Sequence, residues 1–233
     1  MKRIFIPTRS ASDWQRLLAQ PCLHWKRGAS AMTTAAAWEA AGICLPREIE
    51  MTLTATARPP LTDLRLLLAL PEWRVELPGG RTQSATDVLA LCRNELGLCA
   101  IAVEAKVLED FGPTVAEKRS GSSDGQAERL RYLHELLGVR HFAGEIRYQL
   151  LHRTASALLT AREFHAATAV MMIHAFDTPA DRRQDFDAFA AEMGAVVAVP
   201  GVYHVPRMAA PSLYLAWCDG DATFRAVNVP KSC

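Results

Sequence analysis

Three charged residues interrupt two apolar runs of this sequence: Asp87 in "ATDVLALCR", and Glu104 and Lys106 in "LCAIAVEAKV". In an extended strand alternate side chains share a face. Ala102, Glu104 and Lys106 therefore lie on one side, and Ile101, Val103, Ala105 and Val107 on the other. Charges are seldom placed on an interior strand unless they are paired or hold an ion. If the two strands pair through the "NELG" connection, Asp87 and Glu104 come side by side. Converging carboxylates repel unless a divalent cation lies between them. Mg²⁺, a hard ion that takes a few carboxylates and keeps several waters, suits such a place. A neighbouring lysine then orients or deprotonates a water and stabilises charge growing on a phosphate. These are the parts of phosphodiester hydrolysis. The plainer reading is an ion pair on a solvated strand, with Asp87 capping a turn.

The elements that must position these residues follow from pattern. "SASDWQRLLAQP" starts like a helix and stops at Pro21. "SAMTTAAAWEAAG", from Ser30 to Gly42, predicts a second helix, and "TDLRLLLALP" a third that ends at Pro71. "WRVELPGG" reads as a strand entering a turn. "ATDVLALCR" and "LCAIAVEAKV" follow as two strands joined by a tight hairpin. "EDFGPTVAEKRSGSSDG" predicts a polar loop with a short helical piece. Helices are expected over "QAERLRYLHELLG" and "IRYQLLHRTASALLTAREF". The unbroken apolar run "ATAVMMIHAF" predicts a central strand covered on both faces. "DRRQDFDAFAAEMG" has helical spacing, and "AVVAV" and "SLYLAWCDGD" predict two strands at a sheet edge. The order implies an α/β fold, a mixed sheet with helices on both faces.

Asp87 on one strand and Glu104-Ala105-Lys106 on the next resemble the signature of the PD-(D/E)XK nucleases, the restriction-endonuclease-like superfamily. The order helix, three meandering strands, helix, strand resembles it too. The proline that family carries before its first acid is absent, for the sequence reads "SATD". The resemblance spans roughly residues 38–176 and extends to an uncharacterised bacterial branch through "HWKRGASA" and "YQLLHRTASA". It implies a restriction-endonuclease-like core within one domain of residues 1–233, with N-terminal helices before it and a C-terminal strand extension over residues 177–233. It implies a Mg²⁺- or Mn²⁺-dependent nuclease. Asp87, Glu104 and the Ala105 carbonyl would hold the metal and Lys106 would position the attacking water. Glu39, in "AAAWEAAG", and Gln149, in "RYQLLHRTAS", would assist. The partner would be nucleic acid, DNA first, with a homodimer compatible. The alternative is a catalytically silent member of the same fold, used as a binding or assembly module.

The remaining residues narrow this less. With 233 residues, 26 basic against 25 acidic and a formal net charge of +1, the chain has ordinary globular composition. That balance excludes binding nucleic acid by overall charge alone but allows a local basic patch. Lys118, Arg119, Arg129 and Arg131 cluster where a nucleic acid backbone would pass, or form a solvated helix face. Six cysteines without a C-x-x-C pair predict reduced thiols. The opening "MKRIFIPTRS" is too short for a signal peptide and no stretch approaches a membrane span, so a cytoplasmic protein is expected. His174 reads as a core histidine, and His24 to Arg27 as a surface turn.

Overall fold

The computed structural model describes residues 8, 10–80, 82–121 and 123–230. The chain opens with a 3₁₀ segment, Ala11–Leu17, and three helices, α1 (Pro21–His24), α2 (Ser30–Ala41) and α3 (Arg47–Thr54). Strands β1 (Arg65–Val75), β2 (Ser84–Asn94) and β3 (Gly97–Lys106) follow. Helices α4 (Val115–Ser120), α5 (Asp124–Leu137) and α6 (Tyr148–Glu163) lead to β4 (Thr168–Ala175) and α7 (Ala180–Glu192). Strands β5 (Val196–Val199), β6 (Val202–Ala209) and β7 (Ser212–Asp219) close the fold.

The seven strands form one mixed sheet in the order β1-β2-β3-β4-β7-β6-β5. β1, β2 and β3 are an antiparallel meander, β3, β4 and β7 run parallel, and β6 and β5 return antiparallel. Side-chain alternation divides the core between the two faces. Leu89, Ala102, Met171 and Leu215 pack under α5, α6 and α7 with Leu133, Leu151 and Phe189. Val88, Ile101, Met172 and Ala216 pack under the N-terminal layer with Trp25, Trp38 and Ile49. The architecture is thus α/β in three layers. All eight residues of β4 are buried, as a central strand requires.

"TDLRLLLALP" is a correction: it is not a helix. Arg65–Val75 form one long strand, with "WRV" its continuation. An unbroken Leu/Ala run has no period to separate helix from strand, and here pairing with β2 decides it. Pro71 is tolerated because β1 is an edge strand with an unpaired side. Pattern alone does not indicate helix α3 or strand β6. The run "SLYLAWCD" is also not at an edge, for β7 lies between β4 and β6, and the edge strand on that side is β5. Cys22, Cys44, Cys92, Cys99 and Cys218 are free thiols. The opening "MKRIFIP" and Cys233 lie outside the described residues. Among the described residues, no helix is long and apolar enough to cross a membrane.

Candidate active site at a fork in the sheet

Strands β2 and β3 part company at one point. Their ladder ends at Val88–Val103. Beyond it β2 stays paired with β1 to Ser84, while β3 stays paired with β4 to Lys106. Asp87 and Glu104 are the first residues past the split. By alternation both share the face of Leu89 and Ala102, the α6 side. The fork is bridged by a side chain instead of backbone, for Asp87 Oδ2 accepts a 2.7 Å hydrogen bond from the Ala105 amide. The amide and carbonyl of one strand residue point to the same edge. The Ala105 carbonyl therefore also faces the fork, whereas the Lys106 carbonyl turns to β4 and accepts from Phe176 N and Thr178 Oγ1.

Helix α6 supplies the other wall. Gln149, His152 and Arg153 stand at i, i+3 and i+4 and so share one helix face. Lys106 Nζ donates to Glu104 Oε1 at 2.9 Å and to Gln149 Oε1 at 2.9 Å. Gln149 Nε2 donates to the same Glu104 oxygen at 2.7 Å. The Arg153 guanidinium holds Glu104 Oε2 and donates to Ser84 Oγ at 3.0 Å. Ser84 Oγ in turn lies 2.9 Å from His152 Nδ1. Both Glu104 and Lys106 are 4% exposed, so each charge is compensated by a buried partner.

A third carboxylate joins them. The β1–β2 register, Pro71 with Val88 and Trp73 with Thr86, sets Glu72 across from Asp87. Glu72 has φ +53°, a left-handed conformation that costs a non-glycine residue about 1–3 kcal/mol. A cleft of about 500 Å³ is lined by Glu72, Asp87, Lys106, Glu109 and Arg153. Its outer wall is the N-terminal layer, including His24, Lys26 and Ser30. Trp25, 1% exposed, anchors that wall. Glu109 fixes its other end, accepting from the Ser30 amide at the start of α2 and from Val107 N, each at 2.9 Å.

Charge follows this geometry. Burial raises Asp87 well above the usual carboxylate range, and Glu104 and Glu72 push it further. Burial likewise raises Glu72 to about 7, with Arg153 opposing the rise and Glu104 adding to it. Burial would raise Glu104 as well, but Arg153 and Lys106 outweigh it and hold that carboxyl at about 2. His152 is kept well below its ordinary range by burial, then by Arg153. At the fork, then, Glu104 is firmly ionised, while its neighbours Asp87 and Glu72 are driven toward protonation by desolvation and like charge.

Of the residues singled out from sequence, the structure brings Asp87, Glu104, Ala105, Lys106 and Gln149 together. It does not bring Glu39 to them. The Glu39 carboxylate accepts from Trp14 Nε1 at 2.8 Å and Thr8 Oγ1 at 3.0 Å, in the N-terminal layer, and it does not line the cleft. Among the described residues, no three His, Cys, Asp or Glu side chains stand ready-grouped around a metal position. The pattern reading missed Glu72 because it fell between a supposed helix and a supposed strand. The available signal was an acid breaking an apolar run directly after Pro71, as Glu104 breaks its own. His24 and Lys26, read as a surface turn, form a cleft wall. Asp219 and Asp221 stay away from the cleft. The first accepts from Trp217 Nε1 and the second caps Thr223.

A family model described as "Domain of unknown function (DUF6946)" matches residues 7–222. No curated protein and no solved structure matches the chain.

Proposed function

The chain belongs to the DUF6946 family, and for this member we propose metal-dependent phosphodiester hydrolysis of nucleic acid, of the PD-(D/E)XK type. The observation that carries the reading is the fork. It sets Asp87, Glu104 and the Ala105 carbonyl at one split between strands, with Lys106 and Gln149 closed over Glu104 and a cleft opening onto them. The helix, antiparallel meander, helix and parallel strand around it agree with the order that the resemblance implies.

A divalent cation fits this donor set. Asp87, Glu72 and the Ala105 carbonyl are hard oxygen donors, and Mg²⁺ or Mn²⁺ takes such ligands. Asp87 has one hydrogen bond among the described residues, from Ala105 N, and is otherwise crowded by like charge. A bound cation would remove that penalty and keep Asp87 ionised. Glu104 joins the set once Arg153 releases its Oε2. When bound, the metal supplies Lewis-acid charge stabilisation and lowers the pKa of a water. The chain's own residues do the rest. Lys106, desolvated and held by Gln149 and Glu104, keeps its ammonium at a fixed point where it orients a water or meets charge developing on a phosphate oxygen. Gln149 locks that position by bonding both partners at once. Lys26 and His24 on the facing wall exclude bulk water and offer donors to a backbone phosphate.

One observation favours the alternative, a catalytically silent binding module of this fold. Both oxygens of Glu104 are already satisfied by Lys106, Gln149 and Arg153, so the site is compensated without a metal. The two readings separate in one experiment. Purified protein is incubated with single- and double-stranded DNA and RNA, with Mg²⁺ or Mn²⁺, and metal binding is followed by calorimetry. Wild type is expected to bind metal and cleave. Lys106→Met is expected to bind metal but cleave about a hundredfold more slowly or worse, and Asp87→Asn to lose metal binding first. A wild type that binds no divalent ion and cleaves nothing gives the binding-module reading.

A further inference from the structure

A second concavity lies apart from the carboxylate cleft. A groove of about 600 Å³ runs between α4, α5 and residues 138–141. Its rim carries Lys118, Arg119, Arg131 and Arg140 against one acid, Glu135, in a chain whose net charge is only +1. Its floor is apolar, with Ala127, Leu130 and Val139. Ring faces stand beside the floor. His134 packs edge-on against His141 at 6.0 Å and against Phe142 at 5.3 Å. His134 Nδ1 lies 2.9 Å from the Arg140 carbonyl, which can only accept, so Nδ1 carries the proton. His134 Nε2 is then left buried with no partner among the described residues. Cations on a rim, rings and aliphatic groups on a floor, and an unpaired polar atom between them are the features of a single-strand nucleic acid track.

We propose that this groove binds the strand of the nucleic acid substrate that leads away from the cleft. The assignment rests on the hydrolase reading for its substrate class, and on charge complementarity for its occupant. Continuity supports it. Lys118 and Gln126 also line a neighbouring hollow that reaches Gln149 and His152, so the track leads to Gln149, which holds Lys106. Phosphates pair with Lys118, Arg131 and Arg140, and bases lie on the apolar floor. Arg119 is the fixed member, because its guanidinium already holds the Phe142 carbonyl at 3.0 Å.

The test is fluorescence anisotropy of labelled single-stranded DNA and RNA oligonucleotides in a chelator, where cleavage is silent, over a range of salt. The triple variant Lys118→Ala, Arg131→Ala, Arg140→Ala is expected to bind about tenfold more weakly or worse. Removing one cation that pairs with a single-strand phosphate lowers the log–log salt slope by about 0.7, so the triple variant's slope should be shallower by about 2. A control of equal charge, Arg65→Ala, Arg93→Ala, Arg162→Ala, removes exposed arginines that do not line the groove and should bind as wild type does. Equal binding by wild type and the groove variant overturns the proposal. So does equal loss in the control, or a wild type that binds no oligonucleotide. Displacement by polyglutamate at matched charge overturns it in favour of an acidic peptide. Groove-dependent binding by a wild type that cleaves nothing with Mg²⁺ or Mn²⁺ removes the hydrolase reading and leaves the groove standing.

Discussion

At the scale of single residues, the unusual member of the site is Glu72, a carboxylate held in left-handed backbone on an edge strand. Its folded pKa is about 7 against an ordinary 4.5. The folded state therefore keeps a proton that the unfolded chain gives up from about pH 4.5 upward. Stability due to this group falls as pH rises from about 4.5 to about 7, and the penalty is full above that. Glu72→Gln removes the penalty. Thermal unfolding of the two proteins should show the variant more stable at pH 8, by on the order of 1–3 kcal/mol, and nearly level at pH 4. An equal gain at both values would mean that the strain of residue 72, not its charge, sets its cost. Glu104 has the opposite sign. Its pKa of about 2 contributes stability that is complete above about pH 4.5 and lost as pH falls toward 2.

At the scale of elements, the groove and the site depend on how the turn after β1 seats against α5. Arg129 of α5 donates to the Leu77 and Pro78 carbonyls, at 3.0 and 2.9 Å. Gly79, at φ +72°, comes so close that a Cβ there would run into the Gly125 carbonyl and the Arg129 amide. Gly138 ends α5 in the left-handed conformation at φ +64°, but a Cβ there meets only the Arg207 and Met208 side chains, at ordinary contact distance. Gly138→Ala should therefore cost about 1–2 kcal/mol of backbone strain. Gly79→Ala should cost that plus about 1–3 kcal/mol for the clash. Denaturant midpoints read the difference. Equal losses at the two sites would show that the turn is not clamped to α5.

At the scale of the molecule, the C-terminal strands are part of the same sheet. β7 pairs with β4 from Thr168–Ser212 to Ala175–Asp219. Leu213, Leu215 and Trp217 belong to the core under α7. A chain ending at Phe176 would leave β4, the most buried strand, with a bare edge. Such a chain is expected to be insoluble or to lack a cooperative thermal transition by circular dichroism. A soluble, cooperatively folding fragment would show that the core stands without the C-terminal strands.

Local pattern alone indicates the hairpin of β2 and β3, the central strand β4, helices over residues 126–138 and 146–164, and the charges at 87, 104 and 106. Each rests on a local signal: an apolar run bounded by turn residues, helical spacing, or a charge where none is expected. β1 is settled by long-range pairing, because "LRLLLALP" suits helix and strand alike until a partner strand is present. The tertiary structure also decided that β7 is interior and that Glu39 is held by Trp14 and Thr8. Above all it brought in Glu72, and it carried Arg153, one turn after Gln149 on the polar face of its helix, onto Glu104. Their proximity to Asp87 and Glu104 comes from strand register and from a helix crossing the fork, and contacts across such distances in the chain leave no trace in local spacing.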